Sequence, residues 1–410
     1  MKPALGVTEP GAIALAAANA YEAVGGRLQK ISLELDTGLY KNAYACAIPG
    51  TKAFGIETAA LLGILAGEPR LELQVLANVS EEDVEKAQEL KQSNVVTTKL
   101  KEDAEGIYLD CKVITDQGWG RCLILNNHTN VVLLENDQNI IFKQKPQSGP
   151  RQGQSFKTGS VADFLQFTNE VPFEEIAFVL EAVQMNKRLG KAAEEAGMGL
   201  ASALEELERQ NTLAGDVFLR AQFLTAAAMD ARMGGMPLPA MSISGSGSHG
   251  IIATMPIAAV AEAEKIGEEK LARAVVLSFL VNMFIKEYSG RLSAFCGCAI
   301  AAGTGASAGI VHLMGGGKKQ IESAINNMAA NITGMICDGG NYGCSLKAAT
   351  AARAAVMSAF LAMADRTVPA NAGIVGVTAE ETMRNMGKIA APGMQGTEKV
   401  IIEIIREKNE

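Results

Sequence analysis

No two of the seven cysteines in this chain stand at CxxC spacing; they occupy positions 46, 111, 122, 296, 298, 337 and 344. A structural zinc ribbon needs two such short pairs, so zinc is a poor fit. Positive charge is short as well. With 37 Lys and Arg against 45 Asp and Glu, the net charge is −8, which disfavours nucleic acid and anionic membrane surfaces as partners. Met1-Lys2-Pro3 runs straight into a motif, without the basic and cleavable apolar segments of a secretory leader. The expected compartment is the reducing cytoplasm, where cysteines are thiols or ligands rather than disulfides. Long Leu-, Ile- and Phe-rich runs are missing too. The least polar stretch, 293–316, draws its apolar character from Ala and Gly and contains His312, so it reads as a buried helix hairpin rather than a membrane span.

What the chain has instead is thiols on small residues. Cys296 and Cys298 lie in SAFCGCAIAAG, Cys337 in GMICDGG and Cys344 in NYGCSLKAA. Glycine-rich turns let a bulky inorganic group approach the backbone, as iron–sulfur clusters do. A cluster held by three of these thiols, with one iron open to substrate, is one reading of the spacing. Small buried cysteines packing like hydrophobes is the other.

At 410 residues the chain exceeds one ordinary core, and two units are expected. TEPGAIALA opens a helix near Thr8, Glu9 and Pro10, and this N-terminal piece (1–24) is expected to pack on the C-terminal unit. From 25 to 150 the period is that of strands at 30–36, 71–77, 95–101, 107–115, 121–127 and 130–136, with helices at 55–66 and 80–92. Residues 143–158 are rich in Gln, Gly and Pro and read as a linker. Beyond about 160 the period is helical, with glycine-rich loops at 244–250, 302–309, 315–317 and 339–343. The expected fold class is α+β, with a mixed N-terminal unit and a larger all-α unit at 151–410.

Among polar candidates, Ser244-Gly245-Ser246-Gly247-Ser248-His249 can wrap an anion with backbone N–H groups, though the loop lacks the GK[ST] ending of a phosphate loop. His128 and His249 are candidate acid–base groups, and His312 reads as structural. Lys41 and Asn42 follow the first strand, where a βα-type loop places polar groups over a site. Lys347 lies three residues after Cys344, on nearly the same helix face. Either lysine could pair with a substrate carboxylate. Cys46, Cys111 and Cys122 sit in strand-like patterns and read as core.

Taken together, TEPGAIALA, YKNA, HTN, SGSGSHG, CGCAIAAGTGASAG and GMICDGGNYGCSLKAA resemble the L-cysteine desulfidase family, long catalogued as an uncharacterised conserved bacterial family and related to iron–sulfur L-serine dehydratases. The resemblance covers essentially the whole chain and implies a serine dehydratase alpha-chain-like fold. It implies a lyase that uses a [4Fe-4S] cluster and no pyridoxal phosphate, converting L-cysteine to sulfide, ammonia and pyruvate, with L-serine as the alternative substrate. No lysine sits in an obvious cofactor-anchoring motif, which agrees. By the same resemblance Cys337 and Cys344 match cluster ligands, with Cys296 as the third and Cys298 as its alternative. The 244–248 loop and the Thr8-Glu9 segment would hold the amino acid. A homodimer stays open. One departure stands out: the family usually reads GCTEP, where this chain has Gly6-Val7-Thr8-Glu9-Pro10. Valine can neither ligate iron nor carry a proton, so an impaired amino-acid-binding or redox-sensing homologue is the further alternative.

Overall fold

The computed structural model describes residues 1–104, 106–145, 158–290 and 293–408. A short strand, β1 (Lys2–Leu5), precedes helix α1 (Thr8–Glu22). Then come β2 (Leu28–Asp36), α2 (Thr37–Tyr44), α3 (Ile56–Ala66), α4 (Glu81–Gln92) and the strands β3 (Val96–Lys101), β4 (Tyr108–Thr115), β5 (Gly118–Leu125), β6 (Val131–Asn136) and β7 (Ile140–Lys143). β2 to β7 form one sheet in the order β3-β2-β4-β5-β6-β7, parallel only at β2–β3. Most of the expected linker falls outside the described residues.

The sheet is half buried because its strands alternate. Along β4 every second residue is buried, and Cys111 faces Cys122 across β4–β5 with both thiols buried, as a core pair should be. α1 lies over this face, packed on α3, β4 and β5. Its Ala-rich surface allows a close approach. A Cβ at Gly120 would meet the Ala20 carbonyl oxygen at 1.9 Å, and one at Gly63 would meet Ala14 Cα at 2.8 Å. The expected packing of segment 1–24 on the helical unit is therefore corrected: α1 belongs to the sheet's core, and it is β1 that crosses over. The expected strand at 71–77 is corrected as well. Pro69–Gln74 forms a short 3₁₀ turn, with Glu72 at φ 49°, and buries only Val75 and Leu76 behind it.

The second part is almost wholly helical: α5 (Val161–Glu170), α6 (Phe173–Ile176), α7 (Val179–Glu195), α8 (Gly199–Arg209), α9 (Val217–Met233), the two-stranded partner β8 (Pro239–Ser242), α10 (Gly247–Ala263), α11 (Glu268–Ser289), α12 (Gly303–Leu313), α13 (Lys318–Ile332), α14 (Gly343–Met363), α15 (Ala379–Lys388) and α16 (Gln395–Glu407). β8 runs antiparallel to β1, pairing Lys2 with Ser242 and Leu5 with Pro239. The fold is α+β. Residues 302–309 are no loop, and 293–316 is no hairpin. A wide turn at Cys298–Ala302 runs directly into α12. Gly305 and Gly309 serve there as contact points, since a Cβ at either would press within 2.6 Å of a backbone oxygen of α11. α14 is long and apolar enough to cross a membrane by length and composition. It packs instead against α9, α12 and α13.

Two large hydrophobic cores result, one under the sheet and one among the helices, beside a small third cluster around Leu204, Leu219 and Phe223. Among the described buried residues, Val7 and Cys46 are the two from the first 160 that join the helical core. That junction positions the site.

Candidate active site

Three local events converge where the cores meet. First, Phe295 and Ile336 form an antiparallel bridge, with Cys296 N donating to Met335 O (3.1 Å) and Cys337 N to Ala294 O (2.7 Å). Cysteines 41 residues apart in sequence are thereby set on adjoining strands of chain. Second, the Cys337 loop docks on the end of α2. A Cβ at Gly339, whose φ is +107°, would lie 2.4 Å from the Lys41 carbonyl oxygen, and Gly340 N donates to Asn42 O (3.4 Å). Third, Arg232 at the end of α9 donates from Nε to Ser248 Oγ (3.3 Å) in the first turn of α10.

Buried Thr8, Glu9 and His128 form one network with half-buried Asn42. Thr8 Oγ1 donates to Glu9 Oε2 (2.9 Å), Asn42 Nδ2 donates to Glu9 Oε1 (2.9 Å), and His128 Nε2 lies 3.8 Å from Glu9 Oε1. Burial alone would raise the Glu9 pKa. The neighbouring His128 charge and the bonds from Asn42 and Thr8 outweigh it and hold the carboxyl below its ordinary value. Asn42 also reaches the thiols, with Oδ1 3.9 Å from Cys337 Sγ. It stands on α2 rather than in the expected loop.

The thiols form a second group beside the first. Cys296 and Cys298 Sγ lie 3.8 Å apart, and Cys344 Sγ, in the first turn of α14, donates to Gly339 O (3.5 Å). Cys46, expected as plain core, faces the same space: its Sγ donates to Asn42 O (2.6 Å) and Gly340 O (3.3 Å). Burial, with lesser help from neighbouring thiols, raises the pKa of Cys337 and pushes Cys344 up to about 12. Cys296 is raised well above its ordinary value by its contact with Cys298 and by burial. Thiolates here need a cationic group to form. Among the described residues no three of His, Cys, Asp and Glu could hold a single metal ion. Clustered thiols on glycine turns are a donor type that fits a larger thiophilic group such as an iron–sulfur cluster.

The loop at 244–250 is shorter than its sequence suggests. Ser244 (φ 51°) and Gly245 (φ 81°) make the turn, Ser246 precedes the helix, and Gly247, Ser248 and His249 already belong to α10. Asn282 of α11 holds this end, donating to Ser244 Oγ (3.1 Å) and pairing through Oδ1 with His249 Nδ1 (2.9 Å). Because Oδ1 can only accept, Nδ1 carries the proton and Nε2 is left as the acceptor. That nitrogen faces Gly297, between Cys296 and Cys298, where a Cβ would sit 3.2 Å away. Burial, and to a lesser degree Lys286, lowers the His249 pKa to about 3.

A pH dependence follows. Below pH 6.5 the unfolded imidazole binds a proton that the folded one refuses until about pH 3, so stability falls on acidification through that window. In urea titrations, wild type should lose its advantage over His249→Gln as pH drops from 6.5, at up to about 1.4 kcal/mol per pH unit. Parallel curves for the two proteins would refute this.

Neither lysine is disposed as expected. Lys41 Nζ, fully buried, donates to Ser293 O (2.9 Å) and Glu398 Oε1 (3.0 Å), and Lys347 is tied to Asp338. Both cations are held by carboxylates of the chain. His312 bonds Asn169 through Nε2 at 2.9 Å, away from the thiols. Sequence reasoning reads Cys46 as core and does not reach Arg232. The signal for Arg232 was a charged residue embedded in the apolar TAAAMDARMGG.

The family described as serine dehydratase alpha chain matches residues 70–403. Among similar curated proteins is a UPF0597 protein of Clostridium botulinum strain Hall, 44% identical over 420 residues, covering 100% of this chain and 97% of that protein. Others are UPF0597 proteins of Caldanaerobacter subterraneus (38% over 413 residues, 99% and 96% covered) and Clostridioides difficile (36% over 417 residues, 100% and 98%).

Proposed function

The chain belongs to the serine dehydratase alpha chain family, and on that premise we propose that it is a cytoplasmic amino-acid lyase that removes sulfide from L-cysteine. The family is known for iron–sulfur serine dehydratases. Cys337, Cys344 and Cys296, with Cys298 as alternative, are the residues that would hold a [4Fe-4S] cluster. Such a group, when bound, supplies a Lewis acid for the departing sulfide or hydroxide.

The rest falls to the chain. The α-proton of an amino acid is a very weak acid, so the base that takes it must be ionised and fixed. Glu9 meets both conditions, because Asn42 and Thr8 hold its two oxygens and His128 stands beside it. The proton leaves Cα for a Glu9 oxygen, the Cα–H pair forms the double bond, and the Cβ–S pair departs with sulfur. Aminoacrylate then tautomerises and hydrolyses to pyruvate and ammonia. The turn at Ser244 and Gly245 and the first N–H groups of α10 are suited to the carboxylate.

The observation that carries this reading is the Phe295–Ile336 bridge, which brings the segments of Cys296 and Cys337 together, with Cys337 Sγ 3.9 Å from the Asn42 that also binds Glu9. The family description favours L-serine as the second reading. The test is anaerobic cluster reconstitution, followed by parallel assays of sulfide and pyruvate from L-cysteine and L-serine. Sulfide with pyruvate supports the desulfidase; pyruvate from L-serine alone selects the dehydratase. Release of neither by cluster-loaded protein sinks the lyase reading.

A further inference from the structure

Arg232 has no part in the chemistry above, yet it is 2% exposed and ends α9 at the centre of the site. A guanidinium carries five N–H donors and stays protonated, so burying one without an anion is costly. Its Nε is used on Ser248, but Nη1 has no hydrogen-bond partner among the described residues. Burial works against its charge, and the Glu9 carboxylate and the thiols of Cys46, Cys298 and Cys344 favour it. Gly247 leaves room for it: a Cβ there would stand 2.4 Å from Nη1. The guanidinium therefore lies against the start of α10, where the first-turn N–H groups also favour an anion.

We infer that Arg232 binds the α-carboxylate of the substrate through Nη1, with Ser248 fixing the guanidinium plane. This rests on the amino-acid lyase reading and names the group that recognises its substrate class. Lys41 and Lys347 are held by Glu398 and Asp338, whereas Nη1 is an unused buried donor. A carboxylate neutralised here also eases removal of the Cα proton, because the negative charge developing at Cα then meets less repulsion.

The test uses L-alanine, which has the carboxylate but no leaving group, and L-alaninamide, which lacks the charge. Calorimetric titration of anaerobically reconstituted wild type should show about a hundredfold preference for the acid, the worth of a charge-assisted pair. Arg232→Gln should reduce that preference to within about threefold. A preference that survives in Arg232→Gln, or is lacking in wild type, overturns the inference. Should that variant not fold, arginine side-chain NMR of wild type decides: L-alanine, and not the amide, must shift a buried guanidinium signal, and an unmoved spectrum overturns the inference. Sulfide and pyruvate assays in parallel keep the two readings apart. Arg232-dependent acid binding without turnover of L-cysteine or L-serine leaves a small-carboxylate site and sinks the lyase. Turnover with Arg232→Gln at full affinity does the reverse.

Discussion

Replacing Cys344 with serine should abolish the broad visible absorbance of anaerobically reconstituted protein and cut lyase activity to below about a thousandth of wild type. Serine keeps the size of the side chain and its bond to Gly339 O, so the first turn of α14 stays in place. What changes is the donor atom. A hydroxyl is harder and far less acidic than a thiol, and a soft iron site discriminates strongly against it. The thiol at 344 is already reluctant to ionise, with its pKa pushed to about 12 by burial. Its deprotonation is therefore coupled to the arrival of a cationic group, and metal binding should stabilise the fold as well as colour it. Cys111→Ser is the matched control, since Cys111 lies under α1 facing Cys122 and away from the site. If Cys344→Ser stays coloured and active, or if Cys111→Ser loses both, the ligand assignment is wrong.

Val7→Cys should raise turnover of L-cysteine by roughly 10²–10⁴-fold, the range for a positioned acid–base group. Val7 directly precedes α1, is buried, and belongs to the helical core. A Cβ at Gly340 would sit 3.5 Å from Val7 Cγ1 and 2.2 Å from Cys46 Sγ, so position 7 borders the thiol group. The exchange removes one methyl, for a packing cost below about 1.5 kcal/mol. Rates are to be compared with clusters fully loaded, under argon, in wild type, Val7→Cys and Cys46→Ala. Equal and substantial rates in the first two would reduce residue 7 to packing. A collapse in Cys46→Ala would move the missing thiol's role to position 46.

Strands such as 107–115 were legible because alternation and burial on one face are the same fact. The segment 71–77 alternates as well, but no neighbouring strand accepts it, and alternation cannot report on a partner. Glycines at 302–309 read as loop because their reason is tertiary: they bring α12 against the backbone of α11. The thiols at 296, 298, 337 and 344 announced themselves by residue type and glycine setting. Their neighbourhood depends on a bridge between residues 295 and 336 that no local pattern encodes. Cys46 had no such setting, and only the docking of α2 on Gly339 and Gly340 brings it in.

The buried Lys41 gives the chain a schedule. Its ammonium joins the segment just before Cys296 to Glu398 near the C-terminus, donating to both. On the ribosome, the last thiol of the site is made 54 residues before Glu398. Through that interval the cysteines exist while the helix that completes the cation's shell does not. Completion of the shell around that cation is therefore a late event of synthesis, resting on contacts between residues 41, 293 and 398 that span most of the chain.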